Sequence, residues 1–303
     1  MYTDTFCRIC ILQLQNPTET QLNPLTMRKI FTQLFLPLLL LTNIALQAQV
    51  KTINGKVTAA EDGISLPVDD VTANDPRIES SAQYAGGDFQ GVMQKLPYLA
   101  KLGVNALWLS APYDNRDKAG PAWNTSVDPN LYSAYHGYWP APEYIDYTNP
   151  LKPNPTPKVE PRYGTADDLK SLVDTAHQTT ANLQKMKVLF DYVMKHVDSE
   201  SGLYKRKPEW FVTPNGTARV CADGNLWNDV YWGTRCSFKE YLPSFDFYKE
   251  EPVEWSIADA LWWAREFKAD GFRIDAVKHV PLSWVESLRK KIDLEIGGKD
   301  FYT

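Results

Sequence analysis

The chain has 303 residues, 44% of them hydrophobic and 23% charged, with a formal net charge of −5. That length supports one large or two modest domains with a sizeable core, and the charge gives no electrostatic reason to expect nucleic acid or an anionic membrane surface as partner. Aromatic residues reach 13%, and the plain reading of most of them is core packing.

Arg28 and Lys29 precede an apolar run from Ile30 to Ala45, and Leu46-Gln47-Ala48 offers a small residue for cleavage after Ala48. This is the pattern of a secretory signal peptide beginning at Met27. Its unbroken core, Leu38 to Leu41, is too short for a membrane span, so residues 27–48 predict a secreted or periplasmic protein with no stable membrane insertion after cleavage. A signal normally starts at the initiator, so residues 1–26 read as an upstream leader from a misplaced start, and 1–48 is set aside from the fold. Cys7 and Cys10 fall in that leader, where their CxxC spacing carries little weight. Cys221 and Cys236 share a loop rich in Gly, Asn and aromatics. In an oxidising compartment they are expected to pair, closing a loop of about fifteen residues worth roughly 3 kcal/mol in the chain-entropy model; two free thiols are the alternative.

Asp88 is placed to cap a helix through Val92, Leu96, Leu99 and Leu102, with a break or kink expected at Pro97 and a stop at Gly103. Val104–Ser110 reads as a buried strand, giving the helix–glycine–strand rhythm of a parallel sheet. A long loop to Gly164 contains Tyr135-His136-Gly137-Tyr138-Trp139, which without a ligand is simply a surface aromatic cluster. Thr165 caps the next helix through Leu169, Leu172, Val173 and Ala176. An insertion at Gln178–Gln184 stands where a short glycine turn is expected. Lys187–His196 follows as strand and strand end, and residues 197–249 show no long periodicity. Helices are expected at Trp255–Phe267 and Leu282–Ile292, and a further strand begins at Lys299–Thr303.

Between those helices runs Asp270-Gly-Phe-Arg-Ile-Asp-Ala-Val-Lys-His279. In an extended segment Arg273 and Asp275 share one face. A carboxylate beside a guanidinium favours its charged form, which suits a nucleophile or an electrostatic stabiliser and not a proton donor. Such a pair is more often a structural ion pair than an active site, and Lys278 and His279 at the strand end are unremarkable alone. The whole string is far more specific. It resembles the second sequence signature of the alpha-amylase family, glycoside hydrolase family 13, and Asp191-x-Val193-x-x-His196 resembles the first. Leu242-Pro243-Ser244-Phe245-Asp246 resembles a third, and Tyr135–Trp139 is similar to the loop after the second strand. The resemblance covers about Gly86 to Thr303 and is strongest at 187–196 and 242–279; Val68–Pro76 only loosely matches the first strand.

The resemblance implies an α/β fold, the (β/α)8 TIM barrel of the alpha-amylase type. About four strands are present before the chain stops, with an irregular domain inserted after strand 3: 49–196 is the first part of the barrel, 197–249 the insertion, and 250–303 strand 4 and the start of strand 5. It further implies Asp275 as nucleophile with Arg273 as its partner, and Asp191 in support of the site. His136, Tyr138, Trp139 and His196 would contact the sugar being cleaved, and Lys278 and His279 the leaving part of an α-glucan. The family's general acid, a Glu on strand 5, and a later Asp would lie beyond Thr303, and Glu286 and Glu295 sit on or after the preceding helix and are not promoted. The chain alone is therefore expected to be inactive. Two positions depart from the family: Lys195 and Ser244 stand where calcium ligands are usual. An ammonium about 4 Å from the ion would repel it by roughly 8 kcal/mol at an effective dielectric near 20. The expectation is a lost calcium site, no cofactor, and a Lys195 ammonium paired with a nearby acid. A non-catalytic carbohydrate-binding or partner-subunit relative, and a non-functional gene fragment, are the competing readings.

Overall fold

The structure, a computed structural model, describes residues 10–12, 87–117, 120–121, 131–297 and 300–303. The signal segment 27–48, Cys7 and Val68–Pro76 lie outside the described residues. Among the described residues the strands are β1 (Cys10–Leu12), β2 (Ala106–Leu109), β3 (Gly120–Pro121), β4 (Leu131–Tyr132), β5 (Thr180–Ala181), β6 (Gln184–Lys185), β7 (Lys187–Tyr192) and β8 (Gly271–Ile274). The α-helices are α1 (Phe89–Lys101), α2 (Ala166–Gln178), α3 (Gly202–Arg206), α4 (Glu250–Glu266) and α5 (Leu282–Ile292). None is long and apolar enough to cross a membrane.

Both expected caps form. The Asp88 carboxylate accepts from the Gly91 amide, and Thr165 and Asp168 exchange hydrogen bonds in a capping box. Pro97 does not end α1: the helix continues to Lys101 and closes at Gly103, whose φ of +81° suits glycine. The stretch expected as an insertion is the hairpin β5–β6, turned by Asn182 and Leu183, both with positive φ. It leads straight into β7, whose Lys187 amide donates to Asn105 O.

The central sheet has the order β1-β2-β7-β8, with β2, β7 and β8 mutually parallel. Strand alternation sends Leu107, Leu109, Val188, Phe190 and Phe272 into the core shared with α1, α2 and α4. Trp108, Leu189, Asp191 and Arg273 take the other face. The sheet among the described residues is open, not a closed barrel. A fifth segment has begun on its far edge, since Tyr302 bridges Gly271 in the parallel sense and its carbonyl accepts from Phe272. On the near edge, β1 pairs with β2 antiparallel. Residues set aside as a leader thus occupy that edge, in a sense that no strand of an all-parallel barrel takes. Residues 197–249 hold α3, short 3₁₀ turns and the expected Cys221–Cys236 disulfide.

The docking of the last segment depends on the missing side chain at Gly271. A Cβ there would lie 2.5 Å from the Tyr302 carbonyl oxygen. Gly271→Ala is therefore expected to lower the stability read by denaturant unfolding by about 1–3 kcal/mol, the usual cost of overpacking; an unchanged midpoint would show that Tyr302 is not held against β8.

Candidate active site

The parallel register sets the site. Asp191 on β7 is the direct partner of Arg273 on β8, so the carboxylate and the guanidinium meet across neighbouring strand ends. Arg273 Nη1 donates to Asp191 Oδ1 at 3.0 Å and to Asp275 Oδ1 at 2.6 Å. One guanidinium thus ties two carboxylates together. The Asp191 side chain is 2% exposed and that of Arg273 37%. Burial pushes the Asp191 carboxyl up to about 6, while Arg273 restrains it from rising further and Asp275 adds to the rise. The carboxylates in turn raise the Arg273 pKa against the opposing effect of burial, so it is a permanent cation. Beneath it, Arg273 lies 5.1 Å over the Trp108 ring.

The strand reading of 270–279 holds only to Ile274. The Asp275 amide still donates to Tyr192 O, but Ala276 takes φ +51° and Val277–His279 form a 3₁₀ turn. Val277 therefore does not continue the Arg273–Asp275 face. A left-handed alanine directly after the candidate nucleophile is backbone strain at a site, and the surrounding structure has to hold it.

The aromatic loop comes down over the pair. The Tyr138 hydroxyl donates to Asp191 Oδ2 at 3.1 Å, and burial raises its pKa well above the ordinary phenol range. His136 stacks on Tyr138 and its Nδ1 accepts from the Tyr138 amide. His196 donates from Nε2 to Tyr138 O at 3.0 Å, since a carbonyl only accepts. That leaves its Nδ1 a bare buried acceptor without a partner among the described residues. Burial lowers the His196 pKa to about 4, so the ring is neutral. Trp139 departs from the expectation of a sugar-facing ring. It is 9% exposed, packs with Ala134 and Leu242, and sits edge-on to His136 at 4.7 Å.

Lys278 and His279 are held by the disulfide loop. Lys278 Nζ donates to Asn228 Oδ1 at 2.7 Å, and His279 Nδ1 donates to Gly233 O at 2.8 Å. Phe238 lies between the two histidines of the site, 5.4 Å from His196 and 5.2 Å from His279. Sequence reasoning missed these supports, and it missed two more. Tyr113 OH accepts from the Val193 amide at 2.5 Å, and Asp259, half-buried on α4, accepts from Tyr192 and Tyr147 at 2.9 and 2.6 Å. Tyr192 faces away from Asp191, so Asp259 anchors the strand end from behind. Glu295 is committed to Arg265 and Lys291, well apart from this site.

Lys195 corrects one expectation. Its side chain is 1% exposed, yet no carboxylate among the described residues lies in ion-pair range; Nζ donates to Thr234 O at 3.3 Å. Ser244 is also buried, and its hydroxyl donates to Cys236 O. A buried ammonium and a committed hydroxyl at these two positions do not fit a divalent cation, which needs several oxygen donors.

The model of the alpha-amylase catalytic domain matches residues 59–295. A cyclomaltodextrin glucanotransferase of Geobacillus stearothermophilus is 31% identical over 248 residues, covering 75% of this chain and 31% of that protein. Among solved structures, the alpha-amylase of Geobacillus thermoleovorans, complexed with acarbose, aligns with a TM-score of 0.57 at 29% identity over 78% of this chain and 43% of its own. An Anoxybacillus alpha-amylase aligns with a TM-score of 0.59 at 25% identity, over 77% and 43%. A parallel β/α sheet with an arginine-bridged pair of carboxylates at its strand ends fits the (β/α)-barrel class, whose sites lie at that end of the strands. The chain belongs to the alpha-amylase catalytic-domain family of glycoside hydrolases, whose fold is a (β/α)8 barrel, and it spans less than a third of the length of the curated relative that it matches at 31% identity.

Burial alone lowers the Lys195 pKa to about 7. Between pH 7 and about 10.4, the ordinary lysine value, the unfolded chain binds a proton that the folded chain does not. The contribution of this group to stability therefore rises with pH across that window, by up to about 1.4 kcal/mol per pH unit, and the full cost of burying the charge is present below pH 7. Lys195→Met is expected to be more stable than the parent at pH 7 and to converge on it towards pH 10 in urea unfolding; parallel stability curves would refute this. Neither calcium nor a chelator is expected to move the melting temperature of the parent.

Proposed function

We propose that this chain forms part of an exported retaining glycosidase acting on α-glucans such as starch and maltodextrin. The observation that carries the reading is the Asp191–Arg273–Asp275 network at adjacent parallel strand ends, covered by Tyr138. Arg273 Nη1 holds Asp275 Oδ1 at 2.6 Å and so orients the attacking carboxylate, whose side chain stays 17% exposed. In the reaction Asp275 attacks the anomeric carbon, the glycosidic C–O bond breaks, and the departing oxygen takes a proton from a general acid; water then releases the sugar from the Asp275 ester. Asp191 is a poor acid for that step, being buried and held by both Arg273 and Tyr138. By the family resemblance the acid is proposed to be a glutamate on the strand that Tyr302 opens. The names of the relatives support the substrate class, and the disulfide with the signal pattern supports a secreted or periplasmic location.

In the full-length protein Asp275→Asn is expected to cut turnover by on the order of 10⁴-fold or more, as loss of a covalent nucleophile does, while leaving maltooligosaccharide binding by calorimetry largely intact. Retained turnover would remove Asp275 from the role of nucleophile.

A further inference from the structure

The disulfide-closed loop 221–236 faces two ways. Inward, Asn228 and Gly233 hold Lys278 and His279. Outward, it shows large apolar side chains to solvent: Val230 is fully exposed, Tyr231 is 56% exposed, and Tyr248, alongside, is 54% exposed. These rings are not loose. The Arg235 guanidinium stacks on both, 3.9 Å from the Tyr231 ring centre and 3.5 Å from that of Tyr248. Arg235 Nη1 also donates to Tyr231 O at 2.8 Å, and the Tyr248 hydroxyl shares a hydrogen bond with Thr234 Oγ1 at 3.0 Å. The Asp229 carboxylate accepts from the amides of Tyr231 and Trp232 and fixes the backbone between them.

Exposed aromatic surface that is also rigid is what a ligand site requires, because the ordering cost is met before binding. The chemistry narrows the ligand. Arg235 covers one face of each ring, and more than half of each tyrosine stays exposed; an uncovered ring face beside phenol and guanidinium donors suits a sugar, whose C–H face stacks while its hydroxyls find those donors. A simple anion suits the site less well, since Arg235 is turned face-on to two rings and the Asp229 carboxylate lies in the same loop. We infer that the Tyr231–Arg235–Tyr248 stack is a glucan-binding platform that holds the departing end of long α-glucan chains beyond Lys278 and His279. The inference rests on the α-glucan reading above and adds to it a selection for chain length. Asn228 and Gly233, which hold Lys278 and His279, lie in the same loop as Tyr231 and Arg235.

Calorimetry of the full chain with maltotriose and maltoheptaose tests this, in an Asp275→Asn background that prevents turnover. Tyr231→Ala and Tyr248→Ala are each expected to weaken maltoheptaose about fivefold, within the worth of one aromatic contact, and to leave maltotriose unchanged, while Tyr231→Phe keeps the affinity. Should an alanine variant not fold, nitration of the unsubstituted protein decides: maltoheptaose, but not maltotriose, should protect Tyr231 and Tyr248. If both sugars bind but neither the length preference nor the nitration responds to these tyrosines, the platform is wrong and the glucan reading stands. If neither sugar binds the unsubstituted site at all, the glucan reading fails and takes the platform with it.

Discussion

The guanidinium of Arg273 is the group on which the rest of the site depends. Asp191 is buried, and an interior carboxylate left without its cation typically costs about 3–5 kcal/mol. Arg273 meets that need while its other contact fixes Asp275, two residues further on and just past the end of β8. The arrangement needs β7 and β8 in one register and no other. A slip by a single residue would turn Asp191 into the helix-packed face and send Phe190 towards the site. The apolar alternation of Val188, Phe190 and Phe272 therefore does more than build a core, since it also fixes which charges meet.

Around this fixed pair the loops are tied by hydrogen bonds to strand ends more than by apolar contact. Tyr138 reaches Asp191 through its hydroxyl and receives His196 on its carbonyl, so the aromatic loop and the end of β7 form one unit. Burial keeps His196 neutral, and a neutral ring with one committed N–H has one remaining acceptor. Lys195, next in sequence, points the other way, towards Thr234 and the disulfide loop. A single strand end thus serves the site with one residue and fastens the irregular segment with its neighbour.

Much of this was legible in the sequence where the signal is local. Asp88 and Thr165 announce helix starts because a side-chain oxygen must meet the first free amides, and Cys221 and Cys236 announce a bridge in a loop too poor in core to be held otherwise. The Arg273–Asp275 pair follows from strand alternation alone. What was not legible depends on partners distant in the chain. The Asp191–Arg273 contact requires the parallel register, and the grip of Asn228 on Lys278 requires the loop to fold back across 50 residues. Ala276 and Leu183 adopt positive φ without being glycine, so neither gives a local warning. Pro97 does not break α1, where the tertiary packing of Leu96 and Leu99 outweighs one lost helical hydrogen bond. The acid expected beside Lys195 was an inference from charge balance, and the fold satisfies that ammonium with a carbonyl and a depressed pKa instead.

The two halves of the site are built by different physical means. On the Asp191–Arg273–Asp275 side, position comes from a parallel ladder whose hydrogen bonds leave little freedom. On the Lys278–His279 side, it comes from a covalently closed loop with little regular structure, whose outward face is aromatic. A ladder cannot change its side-chain spacing without losing register, whereas a disulfide-closed loop can exchange outward residues at small cost to the fold. On the proposed reading, bond breaking falls to the part of the molecule that tolerates least change, and discrimination among longer or shorter chains to the part that tolerates most.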